Sequence, residues 1–376
     1  MIDSLLDSLA NKNQKIPAYH ITVTDKKGSK DITNIVTDRF ISLAVIDNRG
    51  FEADEIDLQL TDHDGALALP SRGAKIAVSI GWKGEGLVKK GEFTVDEIQY
   101  AGTPDTLTVR ARSADLRGSL NTKKERSFHD ITLGDLIAQL AAENQLKGYC
   151  GVELENEKID HLDQTNESTV NLLTRLADQY DAIATVKNGV LLFMQMGMGQ
   201  SASGNPLPEM LIEKQSGDSY NFTLAESDNY TAVRAYWHDP DTGKKGEIVV
   251  DENTKIERKS RTTKKGKQSK RKYNTVNQAE PVESDADQMK TLRHTYKTEQ
   301  SALNAAKAAF DRMKRGVATF TLTLAEGDPM LMPELPVIVQ GFKPAIDSTQ
   351  WIISKVTHNI SDSGFTTVAE MEIKMG

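Results

Sequence analysis

Cysteine is almost missing from this 376-residue chain, where Cys150 stands alone. One thiol excludes an intramolecular disulfide and any zinc site built on cysteines, and it suits folding under reducing conditions. Cys150 is expected to be a packed or half-exposed thiol rather than a nucleophile. Long apolar runs are missing too. No window offers the roughly 18 uninterrupted apolar residues of a membrane span, so no membrane insertion is expected. Residues 1–15 set Asp3 and Asp7 among their leucines and lack the basic-then-apolar layout of a secretory signal. A short amphipathic helix is expected there instead.

Catalytic signatures are equally scarce. The seven histidines, His20, His63, His129, His161, His238, His294 and His358, show no HxH or HxxxH spacing. No serine sits in a G-x-S-x-G elbow. Gly81, Gly84 and Gly86 do not bridge a strand and a helix, and Gly197 with Gly199 opens a linker, so neither set reads as a phosphate loop. Asp62-His63-Asp64-Gly65 has a superficial likeness to a calcium loop, but no glutamate follows at the distance a bidentate ligand requires; a turn is expected. A glycosidase pair need not be close in the chain, yet 54 acidic residues produce chance pairs freely. The chain therefore reads as a non-enzyme, with no catalytic, cofactor-binding or metal-binding residue and no cofactor.

What is present is alternation. From about residue 18 to 112 the period is close to two: AYHITVTD, IVTDRFISLAVID, EIDLQLTD, KIAVSIGW, GEFTVDEIQY and DTLTVRAR, separated by Gly, Asp and Pro clusters. Such short strands with such punctuation predict a sandwich or barrel. The character changes near Ser113. Thr132 with Asp135 has the spacing of a helix cap, and Leu133, Leu136, Ile137, Leu140 and Ala141 form one apolar stripe. Residues 163–197 then form a compact unit. Ser168 caps a helix carrying Leu172, Leu173, Leu176, Ala177 and Tyr180 on one face, and strands 182–186 and 190–194 flank an Asn188-Gly189 turn suited to a tight hairpin. Residues 197–209 are small, polar and proline-containing, which predicts a linker. Strand alternation returns at Met210, is interrupted by a helix over 298–315 that carries Leu303, Ala306, Phe310 and Met313 on one face, and resumes to the end.

The expected fold is thus α+β and mostly β, with two β-barrel or sandwich domains and a small α+β domain between them. The expected divisions are 1–112 for the first β domain and 113–197 for two helices and a hairpin. The second β domain is 198–376, with a basic loop at 255–272 and the helix 298–315 inserted.

Charge is unevenly spread. Residues 255–272 hold ten Lys or Arg, namely Lys255, Arg258, Lys259, Arg261, Lys264, Lys265, Lys267, Lys270, Arg271 and Lys272, against Glu257 alone. That segment carries about +9, so the remainder carries about −17 within a chain of net charge −8. A phosphate or nucleic-acid contact is the sharp reading. No aromatic residue interleaves the run to stack on bases, however, and Tyr273 only borders it. An exposed, mobile hairpin or loop that touches acidic protein surface is the favoured reading. An acidic loop at 280–287 follows it. The net charge argues against general nucleic-acid binding by the whole surface.

Gln164-Thr165-Asn166-Glu167-Ser168, Leu172-Leu173-Thr174-Arg175-Leu176-Ala177 with Tyr180, and Asn188-Gly189-Val190-Leu191-Leu192-Phe193 together resemble the late control protein D family. These are baseplate hub proteins of phages with contractile tails. Ile131-Thr132-Leu133-Gly134-Asp135-Leu136-Ile137 is similar to the helix preceding this signature. Gly327-Asp328-Pro329, Gly341-Phe342, Trp351-Ile352-Ile353 and Val356-Thr357-His358 are similar to the family's closing β domain. Asp181 departs from the pattern, because relatives often carry glycine after the tyrosine.

The resemblance implies a homotrimeric ring at the end of the tail tube, in a phage or prophage virion assembled in the host cytoplasm. Each subunit would contribute two tube-like β domains, adapting the sixfold tube to a threefold central spike. The implied partners are other copies of the chain, the tube protein, the spike protein and other baseplate proteins, with DNA only as passing cargo through an acidic lumen. Two rival readings remain beside it. One is a peptidoglycan-binding or muramidase tail component, for which exposed sugar-stacking aromatics are few. The other is the hub part of a secretion-system spike, which usually continues into a long repetitive spike.

Overall fold

In a computed structural model, described for residues 15–26, 28–71, 73–113, 119–187, 189–201, 205–225, 230–240, 242–262, 268–278 and 289–374, the chain is α+β and mostly β. The expected helix near residues 2–14, Asn188 of the hairpin turn and the acidic loop 280–287 lie outside those residues. Among the described residues no helix is long and apolar enough to cross a membrane.

Alternation does what the period-two pattern requires. The first region contains β1 (Pro17–Asp25), β2 (Gly28–Asp31), α1 (Thr33–Thr37), β3 (Phe40–Asn48), β4 (Glu55–Thr61), β5 (Lys75–Trp82), β6 (Val88–Ala101) and β7 (Thr106–Ser113). Ile56, Leu58 and Leu60 of β4 and Leu107, Val109 and Ala111 of β7 all turn to one buried face, while their neighbours face outward. One expectation is corrected here. Residues 35–37 belong to α1 rather than to the strand that follows. Asp31 accepts the Thr33 N–H at 2.8 Å, turning the chain as soon as β2 ends, and the turn buries Val36 completely.

The middle region holds β8 (Lys123–Thr132), α2 (Leu133–Glu143), β9 (Lys147–Cys150), β10 (Lys158–Ser168), α3 (Thr169–Tyr180), β11 (Ala182–Lys187) and β12 (Val190–Gln195). The caps form as their residues suggest. Thr132 accepts the Asp135 N–H, and Ser168 accepts the Asn171 N–H, each contributing about 1 kcal/mol to its helix. The stripes of α2 and α3 share one core with Phe193 and Leu191. The sequence expectation of two helices and a hairpin omitted three strands. β8 and β10 form a separate antiparallel ribbon, and β9 pairs in parallel with β12. Both ribbon strands are rich in charge, so their alternation is faint in the sequence.

The last region contains β13 (Met210–Glu213), β14 (Ser219–Leu224), β15 (Ala232–His238), β16 (Lys245–Asp251), β17 (Thr254–Thr262), β18 (Gln268–Gln278), β19 (Met289–Tyr296), α4 (Glu299–Arg315), β20 (Ala318–Leu324), β21 (Pro336–Gln340), α5 (Pro344–Asp347), β22 (Trp351–Ser361) and β23 (Gly364–Ile373). Thr298 and Ser301 cap α4 reciprocally. Ala302, Leu303, Ala306 and Phe310 of α4 then pack on Val233, Ala235 and Val250 of the small β15–β16–β19 sheet.

The two β regions are one sheet. Its main path runs β14-β20-β23-β22-β3-β4-β7-β6-β5-β1-β2, with β21 and β13 branching from β22, and among the described strands it does not close into a barrel. The seam is β3 against β22, antiparallel, from Lys355↔Asn48 to Ser361↔Ser42. Side chains cross it as well. Ile360 and Phe365, from the end of the chain, complete the core of the first region. Trp82 stacks at 5.1 Å on Phe365 and donates its indole N–H to Gly327 O at 2.9 Å. Among the described residues both ends of the path are open: β2 is exposed throughout, and β14 leaves Tyr220 at 47% and Leu224 at 64% exposure.

Ile360→Ala should cost about 2–5 kcal/mol, because it empties a fully packed position. It should destabilise the whole sheet in one urea transition. Trp82 and Trp351, used as separate single-tryptophan reporters, would then give the same midpoint. Two distinct midpoints would show that the seam does not couple the regions.

Candidate functional site

Five linked charges, buried or half-buried, lie where the three regions meet. The first of them is Asp181, directly after α3. Asp181 follows α3 in the left-handed conformation, φ 50°, that ends helices and favours glycine. Aspartate is one of the few other residues that enter it, because its short polar side chain can find a partner. That partner is Arg315, the last residue of α4. The Arg315 guanidinium grips both carboxylate oxygens of Asp181, one of them at 2.6 Å, and the side chains are 2% and 1% exposed.

From there a chain of alternating charge crosses the molecule. Arg315 Nε lies 3.4 Å from Glu372 Oε1 on β23. The same Glu372 oxygen accepts from Arg49 Nη1 at 2.5 Å, just beyond β3. Arg49 also donates to Ile353 O at 3.1 Å and pairs through Nε with Glu334 at 2.7 Å. Glu334 accepts the Gly197 N–H at 3.0 Å, which ties down the segment leaving the middle region. Burial pushes the Glu334 carboxyl up, and the charge of Arg49 opposes that rise. Burial works against the charge on Arg315 too, but hydrogen bonding and attraction from Asp181 hold its guanidinium above the ordinary value.

Beside this chain lies a cavity of about 580 Å³ whose wall includes Asp47, Asp54, Lys90 and Lys187. Lys187, on β11, bridges Asp47 at 2.8 Å and Asp54 at 3.5 Å. Burial, with the neighbouring Asp47, raises the Asp54 carboxyl to about 6 although Lys187 opposes it. Burial lowers the Lys90 amine to about 8, and its Nζ donates to Leu331 O at 3.3 Å. Bases and acids face each other in similar number here. Such a wall binds the three regions to one another more readily than it selects a charged ligand.

The sequence candidates fall elsewhere. Arg258, Lys259 and Arg261 lie on β17 and Lys270, Arg271 and Lys272 on β18, which pair as a separate antiparallel ladder with Arg258↔Asn274 and Ser260↔Lys272. Lys264, Lys265 and Lys267 lie outside the described residues. Asp62-His63-Asp64-Gly65 is a turn, with Gly65 at φ 63° and its N–H bonded to Asp62 O. Arg39 forks onto Asp64 at 2.6–2.7 Å and holds that carboxyl well below the usual range. Burial pushes the Cys150 thiol up to about 12, where it is a poor nucleophile. The five linked charges, Arg49, Asp181, Arg315, Glu334 and Glu372, were missed. Their one trace in the sequence is Asp181 itself, a charged residue in a glycine's place.

Arg315→Met should cost about 3–5 kcal/mol, because it strips the buried Asp181 of both hydrogen bonds and leaves it the more distant Arg312, 3.9 Å away. Adding Asp181→Gly should recover most of that loss, since glycine suits the left-handed position. A double variant as unstable as the single one in urea titrations would refute the coupling. A second outcome concerns pH. Asp54 titrates at about 6 in the folded protein against 3.8 unperturbed, so the folded state alone retains that proton between those values. Stability should therefore fall as pH rises from about 4 to about 6 and level off above, and Asp54→Asn should flatten that slope. Urea midpoints across the window test this.

Residues 52–364 match the family model of the phage tail baseplate hub (GPD). The probable baseplate hub protein of Escherichia phage 186 is 42% identical over 367 residues, covering 96% of this chain and 93% of that one. That of Escherichia phage P2 is 42% identical over 354 residues, covering 92% of each. Among solved structures, the 43 kDa tail protein of prophage MuSo2 from Shewanella oneidensis shares the fold with a TM-score of 0.60 at 12% identity, covering 94% of this chain and 98% of that chain. The family resemblance carried by motifs within residues 131–193 and 327–358 thus extends over nearly the whole polypeptide. The chain belongs to the phage tail baseplate hub (GPD) family and is a structural baseplate hub of a phage tail.

Proposed function

We propose that this hub acts as a homotrimeric ring that adapts a sixfold tail tube to a threefold central spike, without performing chemistry. The observation that carries the reading is the β3–β22 seam, which holds two β regions of one chain in fixed relation. Three copies would then offer six β regions. The working division remains 1–112, 113–197 and 198–376, with the charged junction setting the angle between the parts.

The open edges support the ring. An unpaired strand is a template for another chain, and a closed heterologous ring covers such edges on every subunit. β14, with Tyr220 and Leu224 outward, is the edge best suited to a neighbour. The tube protein, the spike protein and other baseplate proteins would occupy the two faces, after assembly in the host cytoplasm. DNA would pass as cargo. The charge of about −17 outside the basic segment favours an acidic lumen that repels phosphate, and the basic β17–β18 segment would meet acidic surface on a neighbouring subunit.

Light scattering coupled to size exclusion should give a mass near three times the 41.5 kDa chain. Leu224→Asp should shift that mass toward one chain while leaving the circular dichroism spectrum unchanged. A wild-type protein that stays monomeric even at high concentration and low salt would overturn the reading.

A further inference from the structure

The sequence scatters its histidines, yet the fold sets two of them face to face. His129 on β8 and His161 on β10 are directly opposed in the ribbon's register and lie on its exposed side. Their Nδ1 atoms are 3.1 Å apart and their ring centroids 4.7 Å apart. Asp163, two residues along β10 and therefore on the same face, contacts His161 Nε2 at 2.9 Å. Ser127 on β8, opposite Asp163, donates to its other carboxylate oxygen at 2.5 Å.

These contacts have a chemical consequence. A carboxylate beside His161 Nε2 keeps the proton on that nitrogen, so His161 Nδ1 presents a lone pair toward His129. Two metal–nitrogen bonds of about 2.0–2.1 Å at a tetrahedral angle span about 3.3 Å, close to the separation found here. Metal-binding histidines ordinarily donate their other ring N–H to a carboxylate, as Asp163 allows His161 to do. Asp130 adds a second acid next to His129, although Lys158 pairs with it at 2.9 Å.

We propose that His129 and His161 form a cross-strand chelate for a borderline divalent cation such as Zn²⁺, Ni²⁺ or Cu²⁺. Asp163 orients His161, and water completes the coordination. Among the described residues no three His, Cys, Asp or Glu side chains converge as ligands, so this is a two-ligand site. Binding requires His129 to carry its proton on Nε2, a tautomer shift through solvent that changes no net charge. The cation would staple β8 to β10. Among the described residues that pair is a two-stranded sheet, an arrangement that gains more than most from a cross-link.

Calorimetric titration of the full-length chain with NiCl₂ and with ZnCl₂ at neutral pH tests the site. One cation should bind per chain. His129→Ala and His161→Ala should each weaken binding at least about tenfold, and Asp163→Asn about tenfold with both ligands retained. His294→Ala, an exposed histidine on β19, should change nothing. With Cu²⁺, electron paramagnetic resonance should report two coordinated nitrogens, falling to one in either alanine variant. No binding below about 1 mM cation, or equal affinity in His129→Ala, would overturn the proposal.

Discussion

Seven register pairs between β3 and β22 hold this molecule together, and they join residues roughly three hundred positions apart. Without that ladder, β3 and β22 would each present a free edge, and the first region would lack Ile360 and Phe365 from its core. Backbone hydrogen bonds contribute modestly one by one, about 1 kcal/mol each, but a broken ladder leaves buried donors and acceptors unsatisfied. The seam is therefore a constraint more than a contact. It sets the register in which every outer strand must lie.

The charged junction depends on the seam. Arg49 stands just after β3 and Glu372 near the end of β23, the strand paired with β22, so the ladder brings them within reach. A buried ion pair is a weak source of net stability, because desolvation offsets most of the attraction. Its effect is directional. Asp181, Arg315, Glu372, Arg49 and Glu334 satisfy one another in one arrangement of the three regions, and most other arrangements would strand a charge. A hub that must present two β regions at a fixed angle is well served by such a device. Contacts made mainly of apolar side chains would tolerate more slippage.

The middle region follows a different logic. Its helices dock through apolar stripes on β11 and β12, and this core needs little from the rest of the chain. The link to its neighbours is polar, through Asp181, Lys187 and Gly197. The β8–β10 ribbon pairs apart from the main sheet. It is also where the fold creates neighbours, such as His129 and His161, that no linear spacing reveals.

Much was legible before any coordinates. Alternation in 55–62, 75–82 and 105–112 marked strands because one face of a sheet is buried and period two is the direct consequence. The stripes after Thr132 and Ser168 marked helices for the matching reason at period 3.6, and the signature around them identified the family. The strands of the polar ribbon escaped, since Lys, Glu, Asp and His on both faces erase the alternation. The helix over 33–37 escaped because a single turn is too short to show a period. The sequence alone determined the strands and helices that carry a clear apolar face, because such periodicity depends on residues close in the chain. Only the tertiary structure decided that start and end share one sheet, that Asp181 meets Arg315 and that two histidines oppose each other. Strand pairing is set by the summed burial of all partners, and no local stretch of residues carries that information.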